Sequence, residues 1–484
     1  MISRNARKTL VALLTCFAAP AGAQARSPIY TPGSLNANQQ LAHDIYKELI
    51  EINSGMKTGS VTPAANAVAK RLRDAGIPDS DIFVGGPLPQ KFNVVARIHG
   101  RSGASRKPLL LLAHLDVVEA LKADWSGDLD PFVFTERDGY YYGRGTSDDK
   151  AMASIFAANA IRIVREHIVP DRDVIVALTA DEEGGGSNGV DWLLKNHPQL
   201  VDGALVINEG GGGTLRSGKP LFNSVQATEK VTTNVTLRAT NRGGHSSVPR
   251  PDNAIVALAD ALAKAGRHQF PVRFNEVTRA FFEKTADVEE PAMGRAMKAL
   301  VANPNDAAAL AVVAADPRYN AMLRTTCVPT MLTGGHATNA LPQLAEATVN
   351  CRVFPTDTPA VIRADIERLI NDTTVQVLMR GGARPPAPSP LLPELFDAVN
   401  QVTREMWGNV PVIPVMSTGA TDSRFFRASG VPAYGVSGLF SDPAVDARAH
   451  GRDERMRIQS YYEGQEFLWR LTRALTTPTR SAVP

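Results

Sequence analysis

Three apolar runs do most to limit what this chain can fold into. Leu109-Leu-Leu-Leu-Ala-His-Leu-Asp116, Asp173-Val-Ile-Val-Ala-Leu178 and Ala204-Leu-Val-Ile-Asn-Glu209 lack the polar alternation of a strand with one wet face, so each predicts a strand buried on both sides. Such strands need helices above and below them. Helix-period patterns at 39–54, 63–75, 150–168 and 189–196 alternate with strand patterns at 91–99, 108–116, 173–180 and 203–208. The alternation predicts an α/β fold with a mixed, mostly parallel sheet flanked by helices.

Parallel strands bring their carboxyl ends to one edge, where a crevice forms. Here those ends carry His114 and Asp116, then Glu182 and Glu183 in Thr179-Ala-Asp-Glu-Glu-Gly-Gly-Gly186, then Glu209 before four glycines. Gly143-Arg-Gly-Thr-Ser-Asp-Asp-Lys150 adds Asp148 and Asp149 in a loop that opens a helix, and His450 lies in Ala449-His-Gly-Arg-Asp-Glu454. So many carboxylates in one crevice repel one another and take up protons unless cations neutralise them. Two imidazoles, three carboxylates and no thiolate suit zinc, with cobalt or manganese as alternatives. One glutamate of the Glu182-Glu183 pair is expected to bind metal and the other to handle a proton. Asp116, two residues after His114, falls on the same strand face and is placed to orient that ring. Taken singly, a His-x-Asp is more often a local pair, a Glu-Glu more often solvated and a glycine run more often a turn; joint placement at strand ends is what argues for chemistry.

From Glu229 onward the pattern changes. Residues 230–238 alternate as a half-exposed strand does, 253–265 form a helix, 325–332 and 347–354 two further strands, 359–371 a helix and 375–380 a strand. The order βαββαβ is that of a ferredoxin-like sandwich inserted into the host. An alanine-rich, mostly helical stretch at 270–319 interrupts it without a legible purpose. After the linker Gly381-Gly-Ala-Arg-Pro-Pro-Ala-Pro388, a helix at 393–407, strands at 410–415 and 431–436 and a helix at 460–475 resume the host pattern. The expected organisation is a leader at 1–25, a catalytic part at 39–226, an inserted lid or dimerisation domain at 227–383 and a second catalytic part at 388–478.

The leader reading rests on Arg4, Arg7 and Lys8 before an apolar stretch that ends at Pro20, followed by Ala23-Gln-Ala25 as a cleavage site. It predicts a protein exported to the periplasm or beyond. Cys16 follows Leu13-Leu-Thr15, which fits a lipoprotein signal poorly. An oxidising compartment permits a disulfide between Cys327 and Cys351, each in a strand-like segment, and two buried thiols are the alternative. With 52 basic against 49 acidic side chains, a net charge of +3 and no basic run, neither a nucleic-acid surface nor a polybasic membrane patch is indicated. No later run approaches a membrane span.

Six segments, taken in order, resemble one known family. Leu112-Ala-His-Leu-Asp116, Gly143-Arg-Gly-Thr-Ser-Asp-Asp-Lys150, Ala180-Asp-Glu-Glu-Gly184, Gly243-Gly-His-Ser-Ser247, Asn339-Ala-Leu-Pro342 and Asn350-Cys-Arg352 are similar to motifs of the co-catalytic dizinc exopeptidases. These include aminoacylase, succinyl-diaminopimelate desuccinylase, bacterial glutamate carboxypeptidases and Gly-X carboxypeptidase. The Gly-X carboxypeptidase and N-acyl-amino-acid hydrolase branch is nearest, for its Asn-Glu-Gly motif and longer inserted domain. The resemblance implies two zinc ions bridged by Asp148, with His114 and Glu209 at one and Glu183 and His450 at the other. It implies Glu182 as general base, Asp116 as partner of His114, and a cis peptide between Asp148 and Asp149. Further, it implies His245 as an oxyanion donor from the inserted domain, reaching a partner subunit or closing over its own site, and Asn339 and Arg352 as substrate-binding residues. Ser417-Thr-Gly-Ala-Thr-Asp-Ser423 matches a loop near the substrate, without a single side-chain role.

The expected activity is hydrolysis of an amide bond next to a free carboxylate, in a short peptide or an N-acyl amino acid, as a carboxypeptidase or amidohydrolase. Two other readings stay open: an aminopeptidase or dipeptidase of the same fold, and a non-catalytic protein that holds a peptide between crevice and lid.

Overall fold

The structure, a computed structural model, describes residues 29–477 apart from 104, 185 and 381–384. The leader expected at 1–25 and the first half of the linker therefore lie outside the described residues. Among those described, no helix is long and apolar enough to cross a membrane.

A ten-stranded mixed sheet forms the host. Its centre runs Val174–Thr179, Leu109–His114, Leu205–Asn208 and Ala433–Gly435, all parallel. Every residue of Leu109–His114, Val174–Thr179 and Leu205–Asn208 is buried, as the apolar runs required. The helix Lys150–Arg165 packs against this centre with nearly all of its side chains buried, and the helices Ala37–Glu51 and Ile458–Leu475 pack against it in turn. Antiparallel strands Lys91–Ile98 and Ile82–Leu88 complete one side.

The other side was less legible. Lys219–Glu229, an eleven-residue strand beside Ala433–Gly435, has no strand signature because the polar residues Asn223, Gln226 and Thr228 are buried within it. Gly213–Arg216 pairs antiparallel with it and Val412–Ser417 pairs parallel. The glycines after Glu209 permit a close backbone approach: a Cβ on Gly211 would stand 2.1 Å from the carbonyl oxygen of Gly435.

The inserted segment forms its own four-stranded antiparallel sheet in the order Thr326–Gly334, Leu344–Val353, Val231–Thr240, Val375–Arg380. Helices Ala254–Arg267 and Pro359–Ile370 cover one face through Val235, Leu237, Val349, Leu258 and Ile366. This is the split order expected of βαββαβ. Cys327 and Cys351 stand directly opposite each other on neighbouring strands and form a disulfide.

The stretch without a legible purpose folds into helices Glu276–Thr285, Pro291–Ala302, Ala307–Val313 and Pro317–Leu323. Phe281, Phe282, Met297 and Leu323 bury themselves against Ile413 and Met416 of the host and Phe354 at the end of the inserted sheet. Lys284 Nζ donates to the Val412 carbonyl at 3.2 Å, and Arg216 pairs with Glu289 at 2.8 Å. The helices thus tie the inserted sheet to a host strand.

Candidate metal centre

Strand ends converge as the parallel centre dictates. His114 closes its strand, and its Nε2 lies 3.0 Å from Asp148 Oδ1 and 3.9 Å from Glu209 Oε1. Asp148 Oδ2 lies 3.1 Å from His450 Nε2, which is 2.8 Å from Glu183 Oε1. Two trios result, His114–Asp148–Glu209 and Asp148–Glu183–His450, with the candidate ligand atoms of each within 4.8 Å of one another. Asp148 belongs to both. Its peptide bond to Asp149 is cis.

The chemistry of these donors fits divalent cations. Glu183 Oε1 is buried, with His450 Nε2 2.8 Å away. Without a cation, burial and then the Asp148 charge hold Glu209 well above the usual carboxylate range. Asp148 moves the other way: burial raises its pKa, but hydrogen bonds from His114 and His450 outweigh this and lower it. His450 is pushed up to about 10 by hydrogen bonds to Asp148 and Glu183. Protons are doing here what metal ions do better, since a carboxylate-rich crevice needs compensating positive charge.

Asp116 reaches the His114 ring by a different atom from the one expected. The ring Nδ1 is 2.9 Å from the main-chain oxygen of Asp116, while the carboxylate Oδ1 stands at 3.6 Å. A carbonyl only accepts, so Nδ1 carries a proton, and Nε2, which faces Asp148, is the nitrogen whose lone pair a metal would take in place of a proton. The Asp116 carboxylate instead accepts the main-chain N–H of Glu182 at 3.1 Å and of Glu183 at 3.0 Å. Asp181, with φ of 64°, turns the chain just before them. One buried aspartate therefore fixes the turn that presents both glutamates.

Glu182 is pushed up to about 9 by burial and, among charges, chiefly by Asp422. Asp422, from the glycine-bearing loop after Val412–Ser417, accepts from Asn188 Nδ2 at 2.6 Å and from Thr179 Oγ1 at 3.3 Å. Sequence reasoning gave this residue no role, and its signal was only its place in Ser417–Ser423. Glu454 was also missed. Fully buried and paired with Arg144 at 2.6 Å, it accepts from Ser147 N at 2.8 Å and Asp148 N at 3.3 Å, pinning the loop that carries Asp148. A cavity of about 400 Å³ opens beside Asp148 and Glu209, lined further by Leu439, Phe440 and Arg448.

A family model described as peptidase family M20/M25/M40 matches residues 110–474, well over half of the chain. The chain belongs to that family. This M20 enzyme is 29% identical over 403 residues to the human N-fatty-acyl-amino acid synthase/hydrolase PM20D1, covering 81% of this chain and 78% of the relative. Its fold is that of the M20 family metallo-carboxypeptidase Sso-CP2 from Sulfolobus solfataricus, with a TM-score of 0.69 at 18% identity over 91% of this chain and 100% of that one. The Bacillus subtilis YXEP protein, titled a dinuclear metal binding peptidase from the M20 family, superposes with a TM-score of 0.58 at 12% identity over 91% of this chain and 99% of that one. The protein is thus a hydrolytic enzyme of the M20 type.

The inserted sheet distributes its candidates differently. His245 pairs with Ala340 in a two-stranded ribbon, and Asn339 accepts a hydrogen bond from Ser246 N at 3.0 Å, so these two are neighbours. Both are exposed. Ser247 Oγ lies 2.7 Å from His245 Nδ1. Arg352 lies at the opposite end of its strand. It is eight residues from Leu344, where that strand begins just after the ribbon, a span of about 26 Å at ~3.3 Å per residue.

Proposed function

We propose that this M20 enzyme hydrolyses the amide bond of N-acyl amino acids or short peptides bearing a free carboxylate. The observation that carries the reading is Asp148 standing between His114 and His450, each within about 3 Å, with Glu209 and Glu183 completing two trios. In this reading His114, Asp148 and Glu209 hold one zinc ion and Asp148, Glu183 and His450 the other, with cobalt or manganese as alternatives. When bound, the ions supply a Lewis acid for the amide carbonyl and lower the pKa of the attacking water. Glu182 takes a proton from that water and returns it to the leaving nitrogen. Asp116 holds the Glu182-Glu183 turn and, through its carbonyl, the His114 tautomer. His245 donates to the developing oxyanion, and Asn339 and Arg352 bind substrate, Arg352 gripping the carboxylate in a two-pronged fashion.

The reading extends to a homodimer through the inserted sheet, with His245 serving the partner's site. Its support is the distance of His245 from Arg352 along the sheet and an edge strand, Thr326–Gly334, that exposes Val328, Met331 and Leu332 by 58%, 65% and 64%. Export through the leader read at 1–25 is part of the same proposal.

The test is amine release from a panel of N-acyl amino acids and unblocked dipeptides by the zinc- and cobalt-loaded protein. Cleavage of the acylated substrates is the expected result; turnover of unblocked dipeptides alone would move the assignment to a dipeptidase.

A further inference from the structure

Lys230 is the residue at which the host becomes the inserted sheet. The host strand Lys219–Glu229 ends just before it and Val231–Thr240 begins just after it. Its main-chain N–H donates to Ser417 O at 3.0 Å, at the head of the loop that leads to Asp422 and so to Glu182. The whole residue is buried. A hinge position explains a buried backbone; it does not explain a buried ammonium.

That ammonium donates to Thr326 Oγ1 at 3.2 Å. Thr326 stands directly opposite Arg352 on the neighbouring strand, so their side chains share one face with Cβ atoms about 5 Å apart. Thr232 flanks Arg352 on the other side. This is the face that the two helices leave uncovered, since Val353, Cys351 and Val349 point to them instead. Lys230 and Arg352 therefore meet on the open side of the sheet, close to the junction with the host.

Neither has a carboxylate partner within 4.0 Å among the described residues. The adjacent Glu229 is taken by Arg427 at 3.2 Å and Thr421 at 2.8 Å. Asp357, the acid whose field reaches Lys230, pairs with Arg273 at 3.0 Å and accepts from Thr325 at 2.6 Å. Arg324, only 5% exposed and with its Nε unpaired, adds a third positive charge. Burial first and Arg352 second push the Lys230 ammonium down to about 7. A buried cation without a counter-ion, next to two more cations, is costly unless something negative arrives.

We propose that the missing counter-ion is the substrate's carboxylate, and that Lys230 is the second cation of the pocket in which Arg352 grips it. Lys230 is a positioning residue: through Thr326 it sets the positive potential behind the guanidinium, favouring a free acid over the amide or ester of the same compound. This rests on the hydrolase reading above, in which Arg352 binds the carboxylate. The pocket also couples recognition to the hinge, because the group that senses the carboxylate is the first residue of the crossing chain.

The experiment measures binding, so that it does not depend on turnover. The full-length, zinc-loaded Glu182→Gln protein is titrated calorimetrically with N-acetylphenylalanine and with N-acetylphenylalaninamide, then again with Lys230→Met, Lys230→Arg or Thr326→Val added. Lys230→Met should weaken the acid about tenfold and the amide less than about threefold, and Lys230→Arg should restore most of the loss. Thr326→Val keeps shape and charge but removes the ammonium's acceptor, and should weaken the acid a few-fold; it serves if Lys230→Met does not fold. Equal weakening of acid and amide, or no weakening of either, overturns the proposal and leaves Lys230 a hinge pin. A parent protein that does not prefer the acid overturns it as well. Acid preference that depends on Lys230 in a protein without amidase activity would keep this inference and reject the hydrolase reading.

Discussion

The metal centre and the inserted sheet both present side chains from strand ends, yet they are built on opposite principles. At the centre, four host segments and the His450 loop deliver their groups into one crevice, backed by Asp116, Glu454 and Asp422, all buried. In the inserted segment, Arg352 lies near one end of the strand Leu344–Val353 and the His245–Asn339 pair lies beyond the other end, where both are exposed. The first region is assembled before substrate arrives. Under the proposed function, the second needs closure or a second copy to bring its groups to one substrate.

The largest effect should come from splitting the glutamate pair. Glu182→Gln is expected to lower kcat by about 10²- to 10⁴-fold with metal content unchanged, whereas Glu183→Gln should lose metal; metal analysis beside kinetics checks both. Normal turnover by Glu182→Gln would sink the assignment of the base.

His245→Ala should cost about 10²- to 10³-fold in kcat without loss of metal. Mixing it with Glu182→Gln protein decides how the sheet is completed. If His245 serves a partner's centre, mixed dimers regain part of the activity; no recovery means closure within one chain.

Chelation probes the centre from the stability side. A protein stripped of its ions should lose about 3–4 kcal/mol relative to one held at roughly 10²–10³ times the metal Kd, seen as a lower Tm that added zinc restores. A Tm indifferent to chelator would mean that the trios bind no metal.

The most gradual effect, spread over several pH units, is on the pH dependence of stability. Lys230 titrates near 7 when folded, against about 10.4 in an unfolded chain, so between these values the unfolded state binds the extra proton. Stability should therefore rise with pH from about 7 to about 10, by at most ~1.4 kcal/mol per unit from this group, and be least below pH 7. Denaturant titrations across that range should show a flatter slope for Lys230→Met.

Much of this was legible in the residues. The apolar runs ending at His114, Glu182-Glu183 and Glu209 predicted both the parallel centre and its chemical edge, because a strand buried on both faces has few other places to go. The βαββαβ order was legible for the same reason, as alternation and helix period follow backbone geometry. Lys219–Glu229 escaped because several of its buried residues are polar, among them Asn223, whose Nδ2 donates to the distant Thr403. The helices after residue 270 were visible as helices, but not their attachment to Ile413 and Met416, which is a contact between segments far apart in sequence.

The sequence by itself determined which residues could bind metals and on which edge they would gather, since strand polarity and side-chain period are local properties. Only the tertiary structure decided how they act. It assigned the Asp116 carbonyl to His114 and the Asp116 carboxylate to the Glu182-Glu183 turn, brought Asp422 and Glu454 behind them, separated His245 from Arg352, and left the Lys230 ammonium without a counter-ion among the described residues. Each of these depends on distance between segments remote along the chain, and electrostatics and hydrogen bonding are set by that distance, which no residue pattern encodes.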